Sequence, residues 1–394
     1  MGNIQQPGKC HSAPLFHPES LKLAMPLDEA TERTVQWNRD TVRSLLSQRH
    51  SNGRLMVIIG PCSIHDPDAA LDYASRLAEA AKQHHRELFI VMRVYVEKPR
   101  TTVGWKGLIH DPDHAQTVGQ SSPDLNKGVL ASRQVMLNVA KKGLPIATEL
   151  LHPLLAQFFD DIVSIGVIGA RTTESQTHRE MSSDMPMPMG FKNGTDGGLK
   201  VAIDAMTAAS RSHTIVGVDN EGRLGYHLSR GNPDTFMILR GGSQGPNFGS
   251  EHIQNAEMEL LRAGKTPSIV VDCSHGNSMK DYRNQPNVAA CLADQIVAGA
   301  PITGVMIESN INQGRQDVPN NGDNQCLKYG VSITDGCVGW HETELILNRL
   351  AVAVRERQAG PAMVESILTM VTANNIENEK HQVKVHTSDI TVSV

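Results

Sequence analysis

A basic loop contains the residues best suited to do chemistry. Residues 93–107 carry four cations together with two threonines and two glycines. Arg and Lys at this density, beside hydroxyl groups and flexible backbone, are typical of a loop that binds phosphate or carboxylate. A solvated basic loop is the plain alternative for such a charge run. The four cations are Arg93, Lys98, Arg100 and Lys106.

Polar or charged residues also follow the strand-like runs of the chain. Eight short apolar runs, such as 55–60 (LMVIIG) and 268–272 (SIVVD), alternate with stretches of helical spacing. Each polar residue alone has an ordinary structural explanation, whereas eight such ends on one face of a fold indicate a site. The residues at or just after these ends are Cys62, Arg93, Glu149, Arg171, Lys192, Arg240, His275 and Glu308.

One chemical set among these residues could bind a metal ion. A thiol, an imidazole and a carboxylate (Cys62, His275 and Glu308) could converge, with Asp335 from the last loop as a fourth ligand. Mixed sulfur, nitrogen and oxygen ligands suit a borderline transition ion better than magnesium or calcium. Since the ligands come from separate strands, their spacing in the sequence does not establish the site.

The second set is cationic and larger than a single phosphate requires. Such an excess of positive charge fits two anionic substrates, or one substrate that carries both phosphate and carboxylate. The chain contains no Walker loop, no GxGxxG and no HExxH, so nucleotide, dinucleotide and zinc-peptidase functions lack their motifs. The set comprises Arg93, Lys98, Arg100, Lys106, Arg171, Lys192 and Arg240.

The elements that must position these residues indicate an α/β protein. Buried strands that alternate with helices predict a parallel sheet, and eight repeats predict a (β/α)8 TIM barrel, whose chemistry lies at the carboxyl ends of the strands. We expect an N-terminal arm and helix over residues 1–50, with an arm rather than core up to about residue 25. The catalytic barrel should span 51–357, with an inserted β-hairpin at about 213–230, and 358–394 form a C-terminal extension of unknown role.

Composition excludes several classes of protein. A formal charge of −5 at pH 7 argues against a general nucleic-acid binder, so the basic loop has a local purpose. There is no apolar run of 18 residues, so no membrane-spanning segment is predicted. Six scattered cysteines without CxxC spacing indicate reduced thiols and a cytoplasmic location.

Seven long motifs resemble one known family. They are KPRTTVGWKG (98–107), GPCSIHD (60–66), GARTTESQTHRE (169–180), GFKNGTDG (190–197), ILRGG (238–242), DCSHGNS (272–278) and SITDGCVGW (332–340). In sequence and order they are similar to the type I 3-deoxy-D-arabino-heptulosonate 7-phosphate synthases, over roughly residues 30–355. The resemblance implies a transferase that condenses phosphoenolpyruvate with D-erythrose 4-phosphate and releases phosphate. This is the first step of the shikimate pathway to aromatic amino acids.

The resemblance also implies roles for particular residues. Arg93, Lys98 and Lys192 would face the carboxylate of phosphoenolpyruvate, and Lys98 and His275 are candidates for proton transfer. The phosphate of that substrate would lie against Arg171, Arg240 and the backbone of Gly169 and Ala170. The remaining implied positions are Arg100 and Thr101 at the aldose phosphate, Glu149 near the pocket, and Cys62, His275, Glu308 and Asp335 around one divalent ion of Mn, Fe, Co or Zn.

The family resemblance further implies an effector and an oligomer. Members are commonly inhibited by an aromatic amino acid near the inserted hairpin, and a homodimer or homotetramer is expected. Pro186 and Gly217 stand in this candidate effector pocket where relatives often carry serine. Both changes remove hydroxyl groups, which predicts weakened inhibition or a different effector. Neutral drift in a loop is the alternative explanation for the same two residues.

Two alternatives come from other classes of protein. A catalytically silent barrel could bind aromatic amino acids as a sensor, but such a protein should have lost its metal ligands, and all four expected positions are intact. A related synthase or aldolase could use another aldose acceptor. A Schiff-base aldolase would place a lone lysine in apolar surroundings, whereas the lysines here stand among arginines.

Overall fold

Eight parallel strands close into a barrel in the computed structural model, which describes residues 13–47, 53–100, 104–114, 124–219, 221–318 and 327–360. The order around the barrel is β1-β10-β9-β8-β5-β4-β3-β2, and every neighbouring pair is parallel. The predicted α/β barrel is therefore confirmed. Its strands are β1 (Leu55–Gly60), β2 (Leu88–Arg93), β3 (Ile146–Glu149), β4 (Ile165–Ile168), β5 (Met189–Lys192), β8 (Thr235–Leu239), β9 (Ile269–Asp272) and β10 (Ile302–Glu308).

Helices cover the outside of the barrel. Both β1 and β2 are buried along their whole length, because side chains on one face fill the interior and those on the other meet the helices. None of the helices described is long and apolar enough to cross a membrane. The helices are α1 (Pro18–Ala24), α2 (Glu29–Ser47), α3 (Pro67–Gln83), α4 (Leu125–Lys141), α5 (Gln176–Asp184), α6 (Lys200–Ala209), α7 (Ser250–Arg262), α8 (Gln285–Val297) and α9 (Trp340–Ala359).

Local capping chemistry explains where two of these helices begin. Asp66 accepts hydrogen bonds from the backbone N–H groups of Asp68 and Ala69, and Pro67 occupies the first turn, as the sequence predicts. Helix α4 begins at Leu125, because Asp124 caps it at the backbone of Lys127. Helix α5 was not expected, since it is short and polar.

The N-terminal helices pack on the barrel. Helix α2 closes the end of the barrel at which the strands begin, placing Val42, Leu45 and Leu46 among the side chains of the interior. Helix α1 buries Leu21, which is 2% exposed. The prediction of an arm outside the core is therefore wrong for this helix, because only Pro18 and Leu21 of its seven residues are buried, which leaves no periodic signal in the sequence. The predicted domain boundaries themselves stay predictions, and residues 1–12 and 361–394 lie outside the described residues.

The inserted hairpin lies between α6 and β8. Strands β6 (Thr214–Val218) and β7 (Leu224–Leu228) pair antiparallel, with Thr214 opposite Leu228 and Val218 opposite Leu224. Gly222 adopts a positive φ of 79° in the connecting turn, which suits glycine. The predicted hairpin is confirmed, and one face of it carries side chains that are largely exposed.

His65 is a buried residue of the loop that follows β1. The residue is 9% exposed, and its ring faces the ring of His114 with the centroids 6.3 Å apart. Burial, and next the neighbouring His114, lower the pKa of His65 from 6.5 to about 4. The folded protein therefore holds this imidazole neutral at pH values where the unfolded chain binds a proton.

Acid is therefore expected to destabilise the fold through His65. The unfolded state holds the extra proton between about pH 6.5 and about pH 4, so stability falls as the pH drops through that window. The group contributes up to ~1.4 kcal/mol per pH unit to the free energy of unfolding. Urea unfolding at stepped pH should give a shallower pH dependence for His65→Gln than for the wild type. The exposed control His85→Gln should follow the wild type, and equal slopes for all three proteins would contradict the expectation.

Candidate active site

The carboxyl ends of the barrel strands bring the polar residues of the sequence together. Five strands have a charged final residue, and the loops after the other strands supply further charged side chains. The predicted gathering of these residues at one end is confirmed. The five final residues are Arg93, Glu149, Lys192, Asp272 and Glu308.

Two connected cavities occupy this end of the barrel. The main chamber measures about 500 Å³ and is lined by most of the predicted substrate-binding side chains together with Gly169 and Ala170. The side chamber measures about 410 Å³ and extends toward Tyr282 and Arg315. Both chambers are lined by Arg100, Arg171, Arg240, His275, Lys280 and Asp335.

Lys98 lies between a thiol and a carboxylate. Its Nζ is 2.8 Å from Sγ of Cys62 and 3.0 Å from Oδ2 of Asp335. Burial opposes the charge of Lys98, but Cys62 and Asp335 raise its pKa above the ordinary value, so the side chain is an ammonium at neutral pH. The same ammonium is the main cause that holds the pKa of Asp335 well below its usual range. Burial raises the pKa of the Cys62 thiol to about 11.

Arg93 lies on the floor of the main chamber and is 1% exposed. It donates to Oε1 of Glu308 at 2.8 Å and to the carbonyls of Pro61 and Cys62 at 3.2 Å each. Its guanidinium also lies over the ring of Tyr95, 3.6 Å from the centroid. Burial acts against the charge, yet Tyr95 and Glu308 raise the pKa of Arg93, so this cation is permanent.

Asp272 connects the cationic set to the histidine. Its Oδ2 accepts from Nζ of Lys192 at 2.9 Å and lies 2.9 Å from Nδ1 of His275, while its Oδ1 accepts from the hydroxyl of Ser274. Burial alone would raise the pKa of Asp272, but Lys192 and His275 hold it well below its ordinary value. The sequence marked this aspartate only as the end of a strand. Its place between a lysine and a histidine is visible only in the structure.

Three of the four predicted metal ligands form a compact group. Ligand atoms of Cys62, Glu308 and Asp335 all lie within 4.8 Å of one another. His275 approaches this group at Glu308, with Nε2 3.8 Å from Oε1. Because Nδ1 of His275 is engaged by Asp272 and Ser274, the ring leaves Nε2 facing the group. A carboxylate behind a histidine is the usual arrangement around a metal-binding imidazole, so the donor set fits a transition ion.

The loops after β4, β5 and β8 hold further pocket residues. A Cβ on Gly169 would lie 2.3 Å from Oε1 of Glu149, so only glycine allows this carboxylate to approach. Asn193 accepts from the backbone N–H of Arg240 at 2.7 Å and so ties two strand ends together. Burial lowers the pKa of Arg240, and the nearby cation of Arg171 lowers it further, whereas the carboxylate of Asp272 raises it.

Some predicted residues lie elsewhere. Thr101 is outside the described residues. The side chain of Lys106 is exposed and lines neither chamber, although its carbonyl accepts from the backbone N–H of Lys98 at 2.9 Å, so its contact with substrate stays a prediction. Pro186 and Gly217 also line neither chamber. The sequence did not single out Asp272, Tyr95 or Lys280, and a polar residue directly after an apolar run was the available signal for the first two.

The fold and the site together define an α/β-barrel enzyme with a cationic pocket for phosphorylated substrates. Comparison with known proteins identifies the family. The model of the DAHP synthetase I family matches residues 47–348, so the chain belongs to that family.

The relatives cover nearly the whole chain. The phenylalanine-inhibited phospho-2-dehydro-3-deoxyheptonate aldolase of Saccharomyces cerevisiae is 50% identical over 88% of this chain and 92% of its own length. The Tyr-sensitive enzyme of that name from Escherichia coli is 47% identical over 85% of this chain and 92% of its own. The solved structure of the Francisella tularensis aldolase has a TM-score of 0.83 at 41% identity, covering 88% of this chain and 98% of that one.

Proposed function

We propose that the chain is a 3-deoxy-D-arabino-heptulosonate 7-phosphate synthase. It condenses phosphoenolpyruvate with D-erythrose 4-phosphate and releases inorganic phosphate, in the first step of the shikimate pathway. The observation that carries the proposal is the convergence of two sets at one barrel end: cations that face a cavity and a thiol–carboxylate group beneath them. The cations suit two phosphorylated substrates, and the thiol–carboxylate group suits an aldehyde oxygen on which negative charge develops.

The cations hold two anions that would otherwise repel each other. The buried cations Arg93 and Lys192 suit the carboxylate of phosphoenolpyruvate, and Arg171 and Arg240, with the backbone at Gly169 and Ala170, suit its phosphate. Arg100, with Thr101, suits the phosphate of the aldose. Since both substrates are negatively charged, positioning them in attack geometry is the main task of these residues.

The side chains of the site then stabilise the developing charge and transfer protons. The C3 carbon of phosphoenolpyruvate attacks the aldehyde carbon, and the aldehyde oxygen takes up a proton. Water adds at C2, and the C2–O bond to phosphate breaks to leave the ketone. The ammonium of Lys98 holds a proton beside the thiol–carboxylate group, which makes it the candidate donor to the aldehyde oxygen. His275, oriented by Asp272, is the second candidate for proton transfer.

The thiol–carboxylate group would hold one divalent ion. Cys62, Glu308 and Asp335, with Nε2 of His275, supply the mixed donors that suit Mn, Fe, Co or Zn. When bound there, such an ion supplies a Lewis acid for the aldehyde oxygen. Cys62 gives up its proton on binding a metal, since the thiolate is the ligand.

The direct test is an assay of phosphoenolpyruvate consumption with erythrose 4-phosphate, followed by identification of the product. Formation of the seven-carbon phosphate with equimolar inorganic phosphate is expected. A preparation that binds phosphoenolpyruvate but turns over neither substrate would support a silent sensor instead. Turnover with another aldose alone would reassign the acceptor. The homo-oligomeric assembly and the cytoplasmic location expected from the sequence stay predictions.

An aromatic amino acid is the effector that we propose, on the basis of relatives named as phenylalanine-inhibited or tyrosine-inhibited. The family resemblance places Pro186 and Gly217 where relatives often carry serine. The carbonyl of Pro186 accepts from Arg43 of α2 at 2.7 Å. A Cβ on Gly217 would meet no atom within 4 Å, so a serine would fit there without displacing a neighbour.

Weaker inhibition by Phe and Tyr is therefore expected in this chain than in the Saccharomyces cerevisiae relative, measured side by side. The double variant Pro186→Ser and Gly217→Ser should regain sensitivity, because it restores two hydroxyl groups to the candidate effector pocket. Inhibition curves with Phe, Tyr and Trp measure this. Equal sensitivity of the wild type and the relative would contradict the weakened inhibition, and strong inhibition by Trp alone would indicate a changed effector.

A further inference from the structure

Lys280 is a cation of the active site that the sequence motifs did not single out. It lies in the loop that follows β9, after His275, and lines both the main chamber and the side chamber. Its neighbours in that lining are Arg100, Arg171 and Arg240. A lysine that lines the same cavities as three arginines adds positive charge there, unless a carboxylate neutralises it.

No carboxylate of the described residues neutralises Lys280. Lys98 is paired with Asp335, and Lys192 is paired with Asp272. Within the ranges that the structure describes, the Nζ of Lys280 has neither a salt bridge nor a hydrogen bond, while its backbone N–H donates to the carbonyl of His275 at 2.7 Å. Lys98 and Lys192 are therefore each paired with a carboxylate. Among the described residues Lys280 has no such partner, so its side chain is available to a ligand.

The backbone holds Lys280 in place at a conformational cost. His275, Met279 and Lys280 all adopt left-handed φ values, of 57°, 55° and 61°, although none is glycine. Such strained residues persist where the surrounding structure determines them, and they cluster at functional sites. The loop is held by Gly276, whose N–H donates to the carbonyl of Arg240 at 3.0 Å, and by Asn277, which donates to the carbonyl of Asp272 at 2.8 Å.

The loop that positions His275 also positions Lys280, through the bond between their backbones. Met279 and Lys280 are both exposed, and of the two only Lys280 lines the chambers.

We propose that Lys280 is a further phosphate-binding residue of this active site, located where the two chambers meet. It deepens the function proposed above, and rests on it for the identity of the substrates. The ligand chemistry is a phosphate group, which either phosphoenolpyruvate or the aldose phosphate can supply. An ammonium binds phosphate as a compact point charge, so Lys280 contributes to affinity and leaves the bond-making step to other residues.

Steady-state kinetics of Lys280→Met test the proposal and identify the source of the phosphate. We expect KM to rise about tenfold for the substrate whose phosphate lies at Lys280, with kcat changed by less than about threefold. A rise in KM for phosphoenolpyruvate alone assigns the first substrate, and a rise for erythrose 4-phosphate alone assigns the second. Lys280→Arg should restore most of the affinity, because it keeps the charge.

Two controls separate this effect from trivial causes. Lys142→Met removes an exposed lysine at the end of α4 and should leave both KM values unchanged, which excludes an effect of net charge. Lys280→Asn is the second variant, because asparagine tolerates the left-handed backbone and keeps the fold. Thermal unfolding of each variant establishes that it is folded.

Binding of inorganic phosphate, measured by calorimetry without turnover, separates failure of this proposal from failure of the proposed function. We expect affinity to fall about tenfold in Lys280→Met even if the wild type were inactive toward the two substrates. Unchanged KM values for both substrates, together with unchanged phosphate affinity in both Lys280→Met and Lys280→Asn, would overturn the proposal. An equal loss in Lys142→Met would overturn it as well.

Discussion

Replacement of Lys98 by methionine is expected to lower kcat about a thousandfold, the scale of a positioned proton donor. The ammonium of Lys98 lies 2.8 Å from Cys62 and 3.0 Å from Asp335, and these neighbours raise its pKa, so it enters the reaction with its proton in place. Methionine fills similar volume but neither donates a proton nor attracts an anion. Steady-state and single-turnover assays with both substrates measure the loss.

Two comparisons make this expectation specific. Lys98→Arg keeps the charge but holds its proton too tightly to donate it, so binding of phosphoenolpyruvate should survive better than turnover. Lys82→Met, at an exposed position on α3, should behave as the wild type. If Lys98→Met retained kcat within about tenfold and changed only KM, Lys98 would be a binding residue and proton transfer would fall to His275.

Removal of divalent metal is expected to reduce activity at least about a hundredfold, since Lewis-acid stabilisation of a developing alkoxide contributes several kcal/mol. Dialysis against EDTA followed by addition of Mn²⁺ should abolish and then restore turnover. Cys62→Ser should show weaker metal retention by elemental analysis, because it replaces a thiol of the compact donor group with a poorer ligand.

The matched control for this experiment is Cys291→Ser. Cys291 is a half-buried cysteine on α8 and takes no part in the donor group, so this variant should keep its metal and its activity. Full activity after exhaustive chelation, with no metal found by elemental analysis, would contradict a metal-dependent reaction. Equal metal content in Cys62→Ser and the wild type would remove Cys62 from the ligand set.

The sequence by itself determined the type of fold and most of the residue types at the site. Continuous apolar runs such as 55–60 specify strands that are buried on both faces, and the Asp66–Pro67 pair specifies the start of a helix. These signals depend only on residues that are neighbours in the sequence, so they can be recognised without knowledge of the fold. The rule that barrel chemistry lies at strand ends then selected Arg93, Glu149 and Glu308. The sequence pattern did not predict α1 and α5, because these short helices bury too few residues to show a helical period.

Only the tertiary structure decided which of these residues touch. Lys98 meets Asp335 across 237 positions of the chain, and Lys192 meets Asp272 across 80. Closure of the barrel brings β1 beside β10, and no periodicity in the sequence encodes which side chains then share a proton or a charge. Asp335 could be named as a metal ligand from its motif, whereas the position of Lys280 beside both chambers could not. Its direction depends on three left-handed residues that only the folded loop maintains.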